Sequence, residues 1–239
     1  MSAADTARVW GVIPAAGIGR RMGGDTPKQY LRIDGRTLLE HAAAALLGCQ
    51  RVAQLVIAHH AEDALLRALP LAAEPRVKLV VGGAERADSV MAALRARGPL
   101  AADHDWVMVH DAARPCIESS VLDDLLDQLT GQPHGGLLAQ PVSDTVKRAS
   151  ADGRVECTVP REQLWRAQTP QVFRYRLLCD ALEQVSSQGM VATDEAMAME
   201  QMGYRPQLVE GPACNIKVTY SDDLALAAWY LERDRDALA

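Results

Sequence analysis

Short runs that are apolar almost throughout recur along the chain, at Val9–Pro14, Val52–Ala58, Val77–Val81, Trp106–His110 and Gly136–Val142. A strand with one wet face alternates apolar and polar residues, whereas a strand covered on both faces reads as a continuous hydrophobic run. Segments of helical spacing separate these runs. Thr37-Leu-Leu-Glu40 is a capping box opening an alanine-rich helix toward Gly48, which is expected to be its C-cap. Ala87–Arg97 sets Val90, Ala93 and Leu94 on one stripe and stops at Gly98-Pro99. Val121–Leu129 mixes Leu with Asp at helical spacing, so its acids are expected to form a solvated face. Strand alternating with helix predicts an α/β fold, Rossmann-like, with a mostly parallel sheet flanked by helices.

After about Val142 the pattern changes. Asp144–Thr158 is polar and β-leaning around a turn at Asp152-Gly153, and it predicts a projecting β-hairpin arm over about residues 142–164. Helices return at Arg174–Ser187 and Thr193–Met202, the second with Thr193 as N-cap and with Asp194 and Glu195 in the first turn, where the helix dipole favours acids. A last strand is predicted over Asn215–Thr219, followed by a Ser221-capped helix that Trp229 and Tyr230 pack. No repeat, low-complexity tract or Pro/Ser-rich linker interrupts residues 1–239, so a single domain is expected.

Charge and cysteine usage narrow the function classes. Twenty-five basic against 31 acidic residues give a net charge of −6, which disfavours nucleic acid and anionic membranes as partners and makes any anion site local. The apolar stretches Ala42–Leu47 and Leu224–Leu231 fall well short of the ~20 residues of a membrane-spanning helix. Five cysteines without a CxxC pair argue against a disulfide framework or a zinc knuckle; they are expected to be small core residues in a reducing, cytoplasmic setting.

The stretch most informative about chemistry follows the first strand: Pro14-Ala15-Ala16-Gly17-Ile-Gly19-Arg20-Arg21-Met22-Gly-Gly-Asp-Thr-Pro27-Lys28. In an open parallel sheet, ligands bind at the carboxyl ends of strands, where backbone N–H groups can face a phosphate. Gly17 and Gly19 allow close backbone approach, and Gly17 to Lys28 carries three basic residues against one acid. A structural turn alone is the plainer alternative. The dinucleotide fingerprint needs a third glycine where Met22 stands and an acid where the second strand ends in His59-His60, and no Gly-Lys-Ser/Thr makes a Walker loop. A phosphate loop of another kind remains. Gly82-Gly83 to Ser89 and His110-Asp111-Ala-Ala-Arg114-Pro115 stand at two further strand ends. Taken singly, Asp111 reads as a helix cap and Arg114 as its solvated neighbour; three strand ends of this kind favour a site. Lys217, between apolar neighbours, is either exposed or buried against an anion.

These motifs resemble the 2-C-methyl-D-erythritol 4-phosphate cytidylyltransferase family, and the resemblance extends in order through Pro141-Val-Ser-Asp-Thr145-Val-Lys147, Gln168-Thr169-Pro-Gln171, Thr193-Asp-Glu195 and Asn215-Ile-Lys217-Val218. It implies that CTP and methylerythritol phosphate yield the CDP-alcohol and pyrophosphate, with Mg2+ or another divalent metal held mainly by substrate phosphates and no assigned protein ligand. Pro14, Ala15, Ala16, Gly17 and Gly19 are then expected to line the nucleotide loop. Gly83, Ala84 and Ser89 would hold cytosine and ribose, largely through backbone groups. Arg21 and Lys28 would grip the triphosphate, and Lys217 the attacking phosphate. Asp111, Arg114, Thr145, Arg161 and Thr169 fall on the sugar-phosphate side. The family's arm crosses to a second subunit, so a homodimer is implied, with Arg161 serving the partner's site. A cytidylyltransferase for another polyol phosphate, such as ribitol 5-phosphate, is the alternative built on the same loop and cations.

Overall fold

Val12 and Ile13 are consecutive and both fully buried, because the pleat sends them to opposite faces of one strand and each face is covered. The computed structural model describes residues 7–17 and 26–236. The chain runs β1 (Val9–Pro14), β2 (Arg32–Ile33), β3 (Arg36–Thr37), α1 (Leu38–Gly48), β4 (Val52–His59), α2 (Ala64–Arg67), β5 (Val77–Val81), α3 (Arg86–Arg97) and β6 (Trp106–Val109). It continues α4 (Ser119–Leu129), β7 (Gly136–Pro141), β8 (Val146–Ala149), β9 (Val155–Val159), β10 (Trp165–Arg174), α5 (Tyr175–Ser187), α6 (Glu195–Gln201), β11 (Gln207–Glu210) and α7 (Ser221–Asp236).

Seven strands form one sheet in the order β11-β7-β10-β6-β1-β4-β5. All neighbours pair in parallel except β10, which is antiparallel to both β6 and β7. Ile13, Leu55, Ile57 and Met108 meet Leu39 and Leu46 of α1 and Leu122 and Leu125 of α4 in one core. Val12, Val56, Val107 and Val109 meet Leu94 of α3 and Leu178 and Leu182 of α5 in the other. Two buried faces explain the hydrophobic runs of β1, β4, β6 and β7, each fully buried aliphatic side chain contributing about 1.5–3 kcal/mol, whereas the Val77–Val81 run forms the edge strand β5, only half-buried and with Val81 exposed. The expected mostly parallel sheet flanked by helices is thus present. β8 and β9 form their own two-stranded ribbon, Val146 opposite Val159, turning through Gly153 at φ +80.

Several local expectations change. Gly48 is the last residue of α1 rather than its cap, and it is glycine because a Cβ there would stand 2.2 Å from Ser119 Oγ. Asp194, not Thr193, caps α6: its carboxylate accepts the Met197 amide at 2.9 Å. The acids of α4 are not merely solvated, since Asp123 accepts from Cys49 Sγ at 3.1 Å and Asp127 meets Arg51 at 2.6 Å. Asn215–Thr219 is no strand. It is a loop held by Val218 N–H on Ala113 O, while β10 and β11 take sheet positions in its stead. Four cysteines are buried, but Cys157 is exposed on the ribbon, and Trp229 is 53% exposed rather than packed. Among the described residues no helix is long and apolar enough to cross a membrane.

Candidate active site

From β1 the chain adds β4 and β5 on one side and then crosses to place β6 on the other, so the strand order reverses between β1 and β6. A doubly wound sheet opens its ligand crevice at that point, beyond the carboxyl ends of the strands. A cleft of about 270 Å³ lies there, lined by Pro14–Gly17 after β1, Gly83–Arg86 after β5, Asp111–Ala113 after β6, and Lys28, Gln29, Ser89 and Lys217. It adjoins a wider hollow of about 640 Å³ floored by Gly82, Gly83 and Ala84 and walled by His60 and Val81.

The loops around this cleft are shaped by a few contacts. Gln29 Nε2 donates to both Ala15 O and Gly17 O at 3.0 Å, tying the loop after β1 to the turn that carries Lys28. A Cβ on Gly17 would meet nothing within 4 Å, so this glycine leaves open space for a ligand rather than relieving a clash. Gly82 and Gly83 differ: Cβ atoms there would come within 2.8 Å of Ala16 Cβ and 2.2 Å of Asp88 Cβ. Only glycine lets the loops after β1 and β5 approach so closely. Ser89 Oγ accepts the Gly83 amide at 3.2 Å and donates to Glu85 O at 3.2 Å, which holds the second loop against the start of α3.

Asp111 is the charged centre of the floor. Its Oδ1 takes Arg86 Nε at 3.1 Å, its Oδ2 takes Lys217 Nζ at 2.7 Å, and Arg114 Nε stands 3.9 Å away. Burial alone would raise its pKa, but the Arg86 and Lys217 cations outweigh that and hold the carboxyl well below the usual carboxylate range. Arg86 is in turn bonded through Nη1 to Glu195 Oε1, a carboxylate with 0% exposure. A second chain of bonds fixes the backbone. Asp111 N–H donates to Thr169 Oγ1 at 3.0 Å, and Thr169 Oγ1 lies 3.0 Å from His110 Nδ1. His110 Nε2 is 3.0 Å from Arg114 O. A carbonyl can only accept, so Nε2 carries the proton and Nδ1 accepts from the threonine hydroxyl. Burial pushes the His110 pKa down to about 4, keeping the ring neutral.

Of the residues expected from sequence, Pro14, Ala15, Ala16, Gly17, Lys28, Gly83, Ala84, Ser89, Asp111 and Lys217 line the one cleft. Gly19 and Arg21 lie outside the described residues. Arg114 and Thr169 sit behind the floor, Arg114 donating to Asn215 O at 2.7 Å and Ala167 O at 3.3 Å. Thr145 and Arg161 flank the β8–β9 ribbon, exposed and not lining the cleft of their own chain, with Arg161 bonded to Ser143 O. Sequence reasoning missed Gln29, Arg86 and Glu195. Arg86 stood inside a motif already noted, and a charge in the first turn of a helix after a glycine-closed strand was the available signal. As for a divalent metal, no group of three or more His, Cys, Asp or Glu side chains is arranged to hold one among the described residues. Both oxygens of Asp111 are already taken by cations.

Residues 9–233 match the family model described as 2-C-methyl-D-erythritol 4-phosphate cytidylyltransferase. The enzyme of that name from Vibrio vulnificus is 48% identical over 225 residues, covering 94% of this chain and 95% of its own length. The one from Citrobacter koseri is 51% identical over 226 residues, covering 94% and 96%. The crystal structure of the Francisella tularensis enzyme superposes with a TM-score of 0.81 at 34% identity, over 94% of this chain and 100% of the other.

Proposed function

The chain belongs to the 2-C-methyl-D-erythritol 4-phosphate cytidylyltransferase family, and from that premise we propose how its cleft divides the work between two substrates. The activity is transfer of cytidylyl from CTP to 2-C-methyl-D-erythritol 4-phosphate with release of pyrophosphate, a step of isoprenoid biosynthesis. The names of the relatives favour this acceptor over ribitol 5-phosphate.

The observation that carries the assignment of residues is the meeting of Lys28, Asp111 and Lys217 in one cleft at the β1/β6 crossing. The nucleophile is a phosphate with a second pKa of about 6, so near neutral pH it is already largely ionised and needs no general base. The one histidine in the floor is neutral and fully engaged, which fits that economy. The obstacle is repulsion between the acceptor phosphate and the triphosphate, and cations fixed in advance lower it.

Pro14 to Gly17 and Gly19 cradle the triphosphate through backbone groups, while Lys28 and Arg21 stabilise charge on the α-phosphate. Gly83, Ala84 and Ser89 receive cytosine and ribose where the cleft meets the adjoining hollow. Lys217 holds the attacking phosphate. Asp111 binds an acceptor hydroxyl, with Thr169 and Arg114 forming the wall that orients it. Thr145 and Arg161 reach the corresponding cleft of a second copy through the β8–β9 arm, which makes the enzyme a homodimer of single-domain chains working in the cytoplasm. Further charge neutralisation would come from a divalent ion, Mg2+ in the first instance, carried mainly by the substrate phosphates; no residue here is assigned to it.

Pyrophosphate release measured across CTP, UTP, ATP and GTP, each with methylerythritol phosphate or ribitol 5-phosphate, tests the reading. Turnover is expected with CTP and methylerythritol phosphate. Nucleotide binding without pyrophosphate release, or a higher kcat/KM for ribitol 5-phosphate, would overturn it.

A further inference from the structure

Glu195 does not line the cleft, and nothing in the chemistry above uses it, yet its position is unusual for a carboxylate. It begins α6 with 0% exposure, beside Ala196 and Met199 of the apolar core on that face of the sheet. Its Oε1 is bonded to Arg86 Nη1, and its Oε2 is buried without a hydrogen-bond partner. Arg86 is likewise incompletely used: Nε and Nη1 are bonded, but Nη2 is buried and unpaired. Burying a charged pair with two polar atoms unsatisfied stabilises a fold poorly, and apolar side chains of similar size commonly do as well or better. Stability is therefore a weak reason for these two residues.

Geometry supplies a better one. Arg86 Nε holds Oδ1 of Asp111, which leaves Oδ2 turned to Lys217. Arg86 is itself held by Glu195, and α6 is pinned to β10 by Gln171, whose Oε1 accepts the Ala196 amide at 2.8 Å and whose Nε2 donates to Asp194 Oδ2 at 2.9 Å. The charges have a consequence too. Among the described residues Arg86, Arg114 and Lys217 are ion-paired with Asp111, and Arg86 with Glu195 as well, so Glu195 sets how strongly Arg86 competes with Lys217 for Asp111.

We propose that Glu195 is a positioning residue for the acceptor half of the site: acting through Arg86, it fixes the orientation of Asp111 and so the place of Lys217 beside it, where the lysine meets the acceptor phosphate. The inference rests on the reading that Asp111 and Lys217 serve methylerythritol phosphate.

The test is steady-state kinetics of the full-length Glu195→Gln enzyme, varying each substrate separately. Gln keeps the size and one hydrogen bond to Arg86 but removes the charge. The expected result is a rise of roughly ten- to hundredfold in KM for methylerythritol phosphate, the scale of a misplaced binding group, with KM for CTP within about twofold of the parent. A purely structural role would shift both KM values together or neither, and that result overturns the proposal. Asp111→Asn separates the two levels. If it raises the acceptor KM and Glu195→Gln does not, the positioning role fails and the substrate assignment stands; if Asp111→Asn leaves that KM unchanged, the assignment fails and the inference with it. Should Glu195→Gln not fold, Arg86→Met with Glu195→Met leaves no buried charge unpaired. That double variant is expected to fold and to show the same selective rise, and a parental acceptor KM in it would equally overturn the proposal.

Discussion

Lys217 Nζ lies 2.7 Å from Asp111 Oδ2, so a loop near the C-terminal end of the chain is fastened to the end of a central strand. The lysine is 43% exposed at its side chain while the aspartate is 11%, which makes Lys217 the partner that can turn toward a ligand without leaving a buried acid unpaired, since Arg86 remains. Lys217→Gln is expected to lower kcat/KM for methylerythritol phosphate by roughly 10²–10³, as loss of a preorganised charged group does. Binding of CTP, followed by calorimetry, should change little. An equal loss of CTP affinity would move Lys217 to the nucleotide side.

Lys28 and Arg161 belong to different chains of one site in the proposed dimer. Lys28→Ala and Arg161→Ala are each expected to lower kcat by roughly 10²–10³ when studied alone. In mixed dimers, one of the two sites joins an intact Lys28 to an intact Arg161, so activity should return on mixing and re-equilibrating the inactive proteins. Coupled pyrophosphate assays before and after mixing give the answer, and no recovery in verified heterodimers contradicts a shared site.

Gln29 is buried, 5% exposed, and its amide nitrogen serves Ala15 O and Gly17 O together. Removing it unties the loop proposed to present backbone donors to the triphosphate, at about 1 kcal/mol for each hydrogen bond. Gln29→Ala is therefore expected to raise KM for CTP on the order of tenfold, with the acceptor KM nearly constant. Initial rates with CTP varied at saturating acceptor provide the check.

Much of this was legible in the chain. The runs around Val12, Val56 and Val107 announced strands buried on both faces, and their order announced the sheet. β10 was not foreseen, because its centre reads Gln168-Thr169-Pro170-Gln171 and strands are normally recognised by apolar side chains. Those polar residues are buried for their hydrogen bonds: Thr169 with Asp111, Gln168 with Asn215, Gln171 with Asp194. Asn215–Thr219 misled in the opposite way, its apolar neighbours packing Cys214 and Val218 under α7 in a loop. In the site, strand-end glycines and cations could be read directly, whereas Arg86–Glu195 could not. Asp194 and Glu195 look alike in sequence, yet consecutive helical residues point in different directions: one caps α6 and the other enters the core.

The neutral His110 makes stability depend on pH. Folded protein keeps the ring unprotonated down to about pH 4, while the unfolded chain takes up the proton near 6.5. Between those values the unfolded state binds more protons, so stability falls as pH is lowered, by up to about 3 kcal/mol from this group. Urea midpoints measured from pH 7 to pH 4 should decline accordingly, and a His110→Gln variant should show a flatter profile over the same interval. A parallel decline in both proteins would assign the acid sensitivity elsewhere.

The fastening of Lys217 to Asp111 also orders events during synthesis. Every strand of the main sheet is translated before that lysine is, since β11 ends at Glu210. A chain cut at that point would contain every strand of the sheet and the glycine loops, but Asp111 would have Arg86 and no Lys217 opposite it. If Lys217 holds the acceptor phosphate as proposed, competence to use the alcohol phosphate waits for the segment beyond the sheet.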